Sequence, residues 1–535
     1  MPKNDYVYEL IQSLNKSEKR YFKLYFATAT KTPKHVLLFS ILEKESQYDE
    51  KKIRQKLTDE YLKKNFAETK YYLYQQILKV LKDYRTENSV DTILIEKTQN
   101  IEILLQKALF EQAINELEKA KKMAFEHERF EFLTLLLSYQ NKIIVSTRLQ
   151  GYNNIDLENF WLEKVNVFKN FIDTQTARHK VMQLLESKNR IGYIKTNKDK
   201  QFYETIKGEI DNLLNNADCT IAKIYAIESL VFYYNHTDEK KLQNFYCKKL
   251  IELHTHNPSI NASNPYQLPS AIHNLCLSEI NLLNFSEALK WIDIQKKYLE
   301  IIHNDIEIKY KVEWSLASLQ SYLYNVSGRF QEGKTVVKDI IYWIENTEQI
   351  DSRSKWIFYG NCAEIVLGAK DYKQFFYCMR KIREHWVHID DYNKINYTIL
   401  QILAHLDEHE IDAVIYLQNA LEKEIASVRK GNSTKIETAL LQLFQSIKES
   451  KKNTSLTKIL QSAKQALFEN EHEMQMGEFE YVLWLEQMLN KNSYENLVRE
   501  KRSLQAKDFE QYWNDDYKIQ VNINDFRKTL PKRIR

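Results

Sequence analysis

Turn-forming residues are scarce in this 535-residue chain, with 9 Gly and 6 Pro, against ordinary usage of about 7% and 5%. The first glycine is Gly151, and no proline lies between Pro33 and Pro258 or between Pro269 and Pro531. So few breakers exclude a sheet of many short strands and the Gly-rich loops that cradle cofactors. The composition predicts an all-α fold. Cysteine is equally sparse. Cys219, Cys247, Cys276, Cys362 and Cys378 lack metal-ligand spacing, and an odd, scattered set argues against a disulfide framework and for a reducing, cytoplasmic setting. No apolar run approaches the ~20 residues of a membrane span. The N-terminus lacks a signal peptide's apolar core.

Charge is abundant and unevenly placed. The net is only +4, but residues 1–85 carry 18 Lys/Arg against 11 Asp/Glu, and residues 499–535 carry 10 against 6. The ends are basic and the body acidic, a pattern that marks either a nucleic-acid or membrane contact or ordinary solvated faces.

The clearest text runs from Trp314 to Ile340. It reads as two helices joined at Gly328, where a positive φ costs glycine nothing. Ala317, Ser321 and Tyr324 share one face of the first helix, and Phe330, Gly333, Val337 and Ile340 one face of the second. Small Ser321 and Gly333 let the helices approach. This resembles a tetratricopeptide repeat, a helix pair that cannot bury its apolar face without stacked neighbours. The same text, GRFQEGKT from Gly328 to Thr335, fits the phosphate-loop pattern. That loop needs Gly-rich backbone after a strand. Here Arg, Phe, Gln and Glu fill the middle, and helix precedes it, so the repeat reading is preferred.

The second-helix pattern recurs at Phe110/Ala113/Leu117/Ala120, Phe285/Ala288/Ile292, Tyr372/Phe375/Met379/Ile382 and Ala413/Leu417/Ala420. Aligned at Ala288, Gly333, Phe375 and Ala413, the steps are 45, 42 and 38 residues, nearer the ~40–47 of other helical repeats than the ~34 of a tetratricopeptide repeat. About four degenerate units are expected between Ala113 and Ala288. The predicted architecture is an α-solenoid of tetratricopeptide-like helix pairs with an N-terminal helical cluster, a right-handed superhelix with a concave face. Its parts are the cluster at 1–88, repeats at 91–430, capping helices at 431–513 and an extended basic tail at 514–535. Residues 255–270, THNPSINASNPYQLPS, hold half of the prolines and are expected to form an irregular loop. In the tail, Ile519, Val521 and Ile523 alternate with polar residues like a strand.

Within the cluster, Asn15 and Glu18 have capping-box spacing, and Asp49 is placed to cap EKKIRQKL. Tyr21/Tyr25 and Phe22/Phe26 are i,i+4 pairs beside basic residues, expected in the core. The short helices invite a helix-turn-helix reading. Against it, the candidate recognition helix carries Tyr71, Tyr72, Leu73, Tyr74, Ile77, Leu78, Val80 and Leu81 and reads as buried.

HLDEH, His405 to His409, matches an inverted zinc-protease motif, but it falls where a repeat's turn belongs and no sheet accompanies it. His254/His256 and His385/His388 read as surface pairs. No catalytic residue, cofactor site or metal site is expected, and the chain reads as a non-enzyme. The residues expected to meet a partner are Tyr324, Arg329 and Tyr359 on the repeats, Lys19 and Arg20 near one basic end, and Arg527, Lys528, Lys532 and Arg533 at the other.

The phrases SLNKSEKRYFKLY, YDEKKIRQKL and TKYYLYQQILKVLKDYRTENSVD within the first 125 residues resemble a family of helical-repeat proteins from Bacteroidota-type bacteria. The resemblance implies a cytosolic bacterial protein and carries no activity with it. The expected function is a scaffold that binds a protein or peptide partner on the concave face of the solenoid, since aromatics bring apolar area with a polar handle. The alternative is an RNA- or ribosome-associated protein that grips nucleic acid with its basic N- and C-terminal ends.

Overall fold

The computed structural model describes residues 5–27, 32–45, 47–85, 89–147, 157–191, 197–302, 305–429, 434–449, 456–470, 479–490 and 492–510. Among them there are 26 α-helices and no strand, as the shortage of turn formers predicts. No helix is long and apolar enough to cross a membrane among the described residues. The chain divides into two compact units that meet in sequence at Phe168.

The first unit opens with α1 (Tyr6–Ser13), α2 (Lys16–Tyr25), α3 (Lys34–Leu42), α4 (Glu50–Lys56), α5 (Glu60–Lys64) and α6 (Phe66–Arg85). Their core gathers Ile11, Phe22, Leu38, Phe39, Leu42, Ile53 and Phe66 around Leu73, Ile77 and Val80 of α6. Asn15 and Glu18 form the expected capping box, with Glu18 N–H donating to Asn15 Oδ1 at 2.9 Å and Asn15 N–H to Glu18 at 3.0 Å. Asp49 caps α4. Phe22 stacks on Phe39 at 4.5 Å in the core, while Tyr25 is exposed. The reading of α6 as buried needs correction. Tyr71 is 70% and Tyr72 51% exposed, because eight apolar residues exceed one helical face and the 3.6-residue period turns these two away from the buried stripe. Helices α7 (Val90–Gln106), α8 (Phe110–Glu126) and α9 (Phe130–Thr147) follow, then the 35-residue α10 (Leu157–Ile191).

The second unit continues with α11 (Asn197–Asn216), α12 (Thr220–His236), α13 (Lys240–His256), α14 (Pro258–Ser263), α15 (Gln267–Asn281), α16 (Phe285–Ile301), α17 (Ile306–Val326) and α18 (Phe330–Asn346). After them come α19 (Ser352–Gly368), α20 (Tyr372–Arg383), α21 (Asp391–Asp407), α22 (Ile411–Arg429), α23 (Lys435–Glu449), α24 (Leu456–Glu469), α25 (Tyr481–Asn490) and α26 (Tyr494–Glu510). Five turns share one geometry. Asp238, Leu283, Gly328, Lys370 and His409 each have φ between 57° and 67°. At the four non-glycine turns the N–H of the next residue reaches back to close the preceding helix, as in Asn284 to Glu279 and Asp371 to Val366, both 2.8 Å. That is a Schellman closure, which satisfies carbonyls left over at a helix end. The second helix begins at once, two residues after the left-handed one.

These turns step by 45, 45, 42 and 39 residues. Five positions beyond each stand Gln243, Ala288, Gly333, Phe375 and Val414, all buried. The fourth frame therefore rests on Val414 rather than Ala413, which is only half-buried. His409 sets that frame and its hidden φ shifts the register by one. Between Ala113 and Ala288, where four degenerate units are expected, left-handed turns before Leu283 stand at Glu128 and Asp238 among the described residues. Gly333 acts as expected. A Cβ there would sit 2.7 Å from Ile365 Cγ2 and 3.1 Å from Tyr324 Cβ.

Residues 255–270 are not an irregular loop. Helix α13 runs to His256, Pro258 opens α14, and Pro269 lies in the first turn of α15. A helix's first turn has no use for its N–H groups, so proline fits there. The turn is fastened by His254, whose Nδ1 lies 2.8 Å from Asn261 Oδ1, while Asn261 Nδ2 donates to the His254 carbonyl at 2.7 Å. His254 is thus a core residue at 1% exposure, not a surface one.

The C-terminal pair folds back onto the Gly328 turn. Tyr494 stacks on Phe330 at 5.3 Å, Glu495 accepts the Gln331 N–H at 2.9 Å, and buried Arg502 donates to the Val326 carbonyl at 3.0 Å. Arg502 also donates to Glu480 at 2.5 Å. Phe479, Trp484, Tyr494 and Val498 join the same core as α18 to α22. The tail with Ile519, Val521 and Ile523 lies outside the described residues.

Two substitutions test the turn. A Cβ on Gly328 would meet Val498 Cγ1 at 2.7 Å and Arg499 N at 3.2 Å at a φ of +67°, so Gly328→Ala should lower unfolding free energy by about 2–4 kcal/mol. Asp238, exposed and left-handed, should gain up to about 1 kcal/mol as Asp238→Gly. Denaturant midpoints of both variants check the pair; equal effects of one sign would refute the account.

Candidate functional site

The expected partner residues do not form one site. Tyr324 and Arg329 are neighbours, with the guanidinium 5.7 Å from the ring and paired to Glu332. Tyr359 is 3% exposed and directs its hydroxyl at Glu345. It belongs to the core because the first-helix face on which it sits is covered by α18 and α20 side chains, and it has no surface to offer a partner. Lys19 and Arg20 lie on α2 in the other unit. Arg527, Lys528, Lys532 and Arg533 fall outside the described residues. In the phosphate-loop text, Gly328 forms the turn, Lys334 pairs with Asp371 at 3.1 Å, and helix α18 begins at Phe330. HLDEH is the closing turn of α21. His405 Nδ1 lies 2.6 Å from Glu410, and His409 is the left-handed residue, so the two histidines do not share a helix face. His385 and His388 bound a short 3₁₀ turn.

The most distinctive chemistry lies on the first helices of successive pairs, α12, α15 and α17. On α12, Tyr225 and Glu228 are one turn apart. The Tyr225 hydroxyl accepts from Arg178 of α10 at 2.9 Å and from Gln267 of α15 at 3.0 Å. A second chain of bonds fixes α15 to α17. Gln295 Nε2 donates to the Pro269 carbonyl at 2.9 Å, the Ser315 hydroxyl donates to Gln295 Oε1 at 2.9 Å, and His273 Nδ1 lies 2.7 Å from Ser315 Oγ. The Ser315 proton is committed to Gln295, so His273 must carry its proton on Nδ1 and keep Nε2 as an acceptor. Burial holds the His273 pKa down at about 4. The ring sits 6.3 Å from Trp314, which meets Phe358 edge-on at 5.6 Å.

Glu228 stands apart from the other acids. It has no hydrogen bond or ion pair among the described residues, and desolvation alone pushes its pKa up to about 7. It is half-buried by surface. Protein therefore surrounds the carboxylate closely while leaving it an opening. Tyr266 feels its charge and has Lys311 4.9 Å from its ring. Elsewhere, a depression of about 340 Å³ between α10 and α11 includes Lys180 and Glu209, which neutralise each other.

Sequence reasoning missed Glu228 and His273. A signal existed for the first: in TIAKIYAIESLVFYY it is the lone acid of a mostly apolar run, flanked by AI before and SLVFYY after, and a charge placed there needs a reason. His273 had none, since its partners come from elements 22 and 42 residues away. No protein family, curated protein or solved structure matches the chain.

The raised Glu228 pKa has a stability consequence. The folded value exceeds the ordinary 4.5, so the folded state binds more protons between about pH 4.5 and 7, and stability falls as pH rises through that window. Glu228→Gln should stabilise by about 1–3 kcal/mol near pH 8 and by almost nothing near pH 4. Thermal melts of both proteins across pH check this. A pH-independent difference would show that the carboxylate is not desolvated.

Proposed function

We propose that the chain is a non-enzymatic scaffold that binds a protein or peptide on the first-helix face of its second unit. The observation that carries this reading is Glu228, a half-buried carboxylate with no partner of its own among the described residues. An unpaired charge in such a place is costly, and a lysine or arginine side chain of a bound peptide would relieve that cost. Tyr266 offers an aromatic wall, and the free Nε2 of His273 a further acceptor on the same helix. Such a face suits a segment with a basic residue flanked by apolar ones. Paired and desolvated charges of this kind set which partner is accepted more than how tightly it holds.

The test is capture of partners by the tagged, full-length protein from lysate of the source cells, at low and high salt, with and without nuclease, read by mass spectrometry. A protein partner that survives high salt and nuclease, and is lost from Glu228→Lys, is the expected result. Recovery of the same partner by Glu228→Lys, or of salt-labile RNA alone, would sink this reading.

A further inference from the structure

The exposed side of α6 carries two bare tyrosine rings. Helical spacing puts Glu68, Tyr71, Tyr72, Gln75, Lys79 and Lys82 on the side opposite buried Leu73, Ile77 and Val80. All six are exposed, the two rings at 70% and 51%. The tyrosines are not needed for the core. Tyr72 only brushes His35, at 5.1 Å between ring centres, and Tyr71 has no ring neighbour among the described residues. Burial would have been the ordinary fate of such rings, since aromatic area is worth removing from water.

The surroundings are cationic. Residues 1–85 carry seven more basic than acidic side chains. Many lysines there are matched, as Lys34 is to Asp59 and Lys70 to Asp5. Lys79 on the exposed face, Lys64 just before α6, and Lys19 and Arg20 on α2 form no ion pair among the described residues. Helix α2 itself packs along α6, with Tyr21 and Tyr84 ring centres 4.8 Å apart and Tyr25 donating to Asp83 at 3.1 Å. An unmatched cation, Lys79, on the same helix face as two bare rings is what a nucleic-acid strand needs: phosphate is met by charge, and a base by a flat aromatic face. The amide of Gln75, between the rings and Lys79, can donate and accept at a base edge.

We propose that the exposed face of α6, with Tyr71, Tyr72, Gln75 and Lys79, binds a single-stranded nucleic acid by stacking bases on the two tyrosines and holding phosphate with Lys79. This goes beyond peptide binding and concerns a different unit of the chain. Adjacent tyrosines project about 100° apart around the helix, so they meet different bases. A duplex hides its base faces and would gain nothing from the rings. An acidic peptide would satisfy the lysines and leave the rings unused.

The experiment is fluorescence anisotropy of a labelled single-stranded RNA of mixed sequence titrated with the full-length protein, beside the same sequence as single-stranded DNA and as duplex, over a range of salt. Both single strands should bind, the duplex more weakly, and affinity should fall as salt rises. Tyr71→Ala/Tyr72→Ala should weaken binding by roughly tenfold or more with the salt slope unchanged. Lys79→Glu should weaken it and flatten the slope. Both variants change exposed side chains, and circular dichroism melts verify the fold. The proposal is overturned by no binding, by preference for the duplex, by full competition from polyglutamate against the tyrosine-dependent part, or by undiminished binding in the double tyrosine variant. That last result would assign any RNA affinity to charge elsewhere in the chain.

Discussion

The left-handed residue between paired helices is the constraint on which the second unit rests. All five turns carry a left-handed residue with the next helix starting immediately, and in four of them one backbone N–H reaches back to a carbonyl five residues earlier. The geometry leaves no slack. It fixes which residue of the second helix lies five positions on, and hence which side chain enters the seam between helices. Four of the five left-handed positions are not glycine, so the chain tolerates a conformation worth roughly 1–2 kcal/mol of strain each. Burial on both sides of each turn offsets that cost. Leu283 is itself part of the buried set, which ties strain and packing together at one residue.

Much of this was legible in the sequence. The shortage of Gly and Pro carried the helical class, and Gly328 marked its own turn because glycine is the residue such a turn prefers. Asp238, Leu283, Lys370 and His409 were illegible for the converse reason: nothing in their side chains announces a left-handed backbone. Val414 was misplaced by one residue on that account. Proline misled at 255–270, where each ring sits at a helix start or between helices rather than inside one. Tyr71 and Tyr72 misled because an apolar count says nothing of direction; only the helical period separates them from Leu73 and Ile77. The candidate site was less legible than the fold. A lone acid in a mostly apolar run flags Glu228, but His273, Ser315 and Gln295 meet only through tertiary packing.

The polar groups inside the second unit divide into two kinds. One kind is satisfied within the chain. Glu279 accepts from Asn244 at 2.9 Å and from Asn284 at 3.0 Å, linking α13, α15 and the turn after it. Such a network specifies one arrangement of helices because its polar groups are satisfied only when these elements sit together. Glu228 is of the other kind, desolvated without a hydrogen-bond or ion-pair partner among the described residues. The two carboxylates lie in neighbouring helices of similar composition, and the difference between them separates a structural acid from one suited to a ligand.

The bond from Arg502 to the Val326 carbonyl joins residues 176 apart in sequence. During synthesis the Gly328 turn leaves the ribosome long before the helix that covers it. At about 5–20 residues per second the wait is roughly 9–35 s. Throughout it, Phe330 lacks Tyr494, and the Val326 carbonyl lacks its donor. The N-terminal cluster, whose core closes within residues 7–80, has no such delay. The nascent protein therefore carries one finished cluster and one open apolar seam at the same time, and a segment made 176 residues later seals the seam.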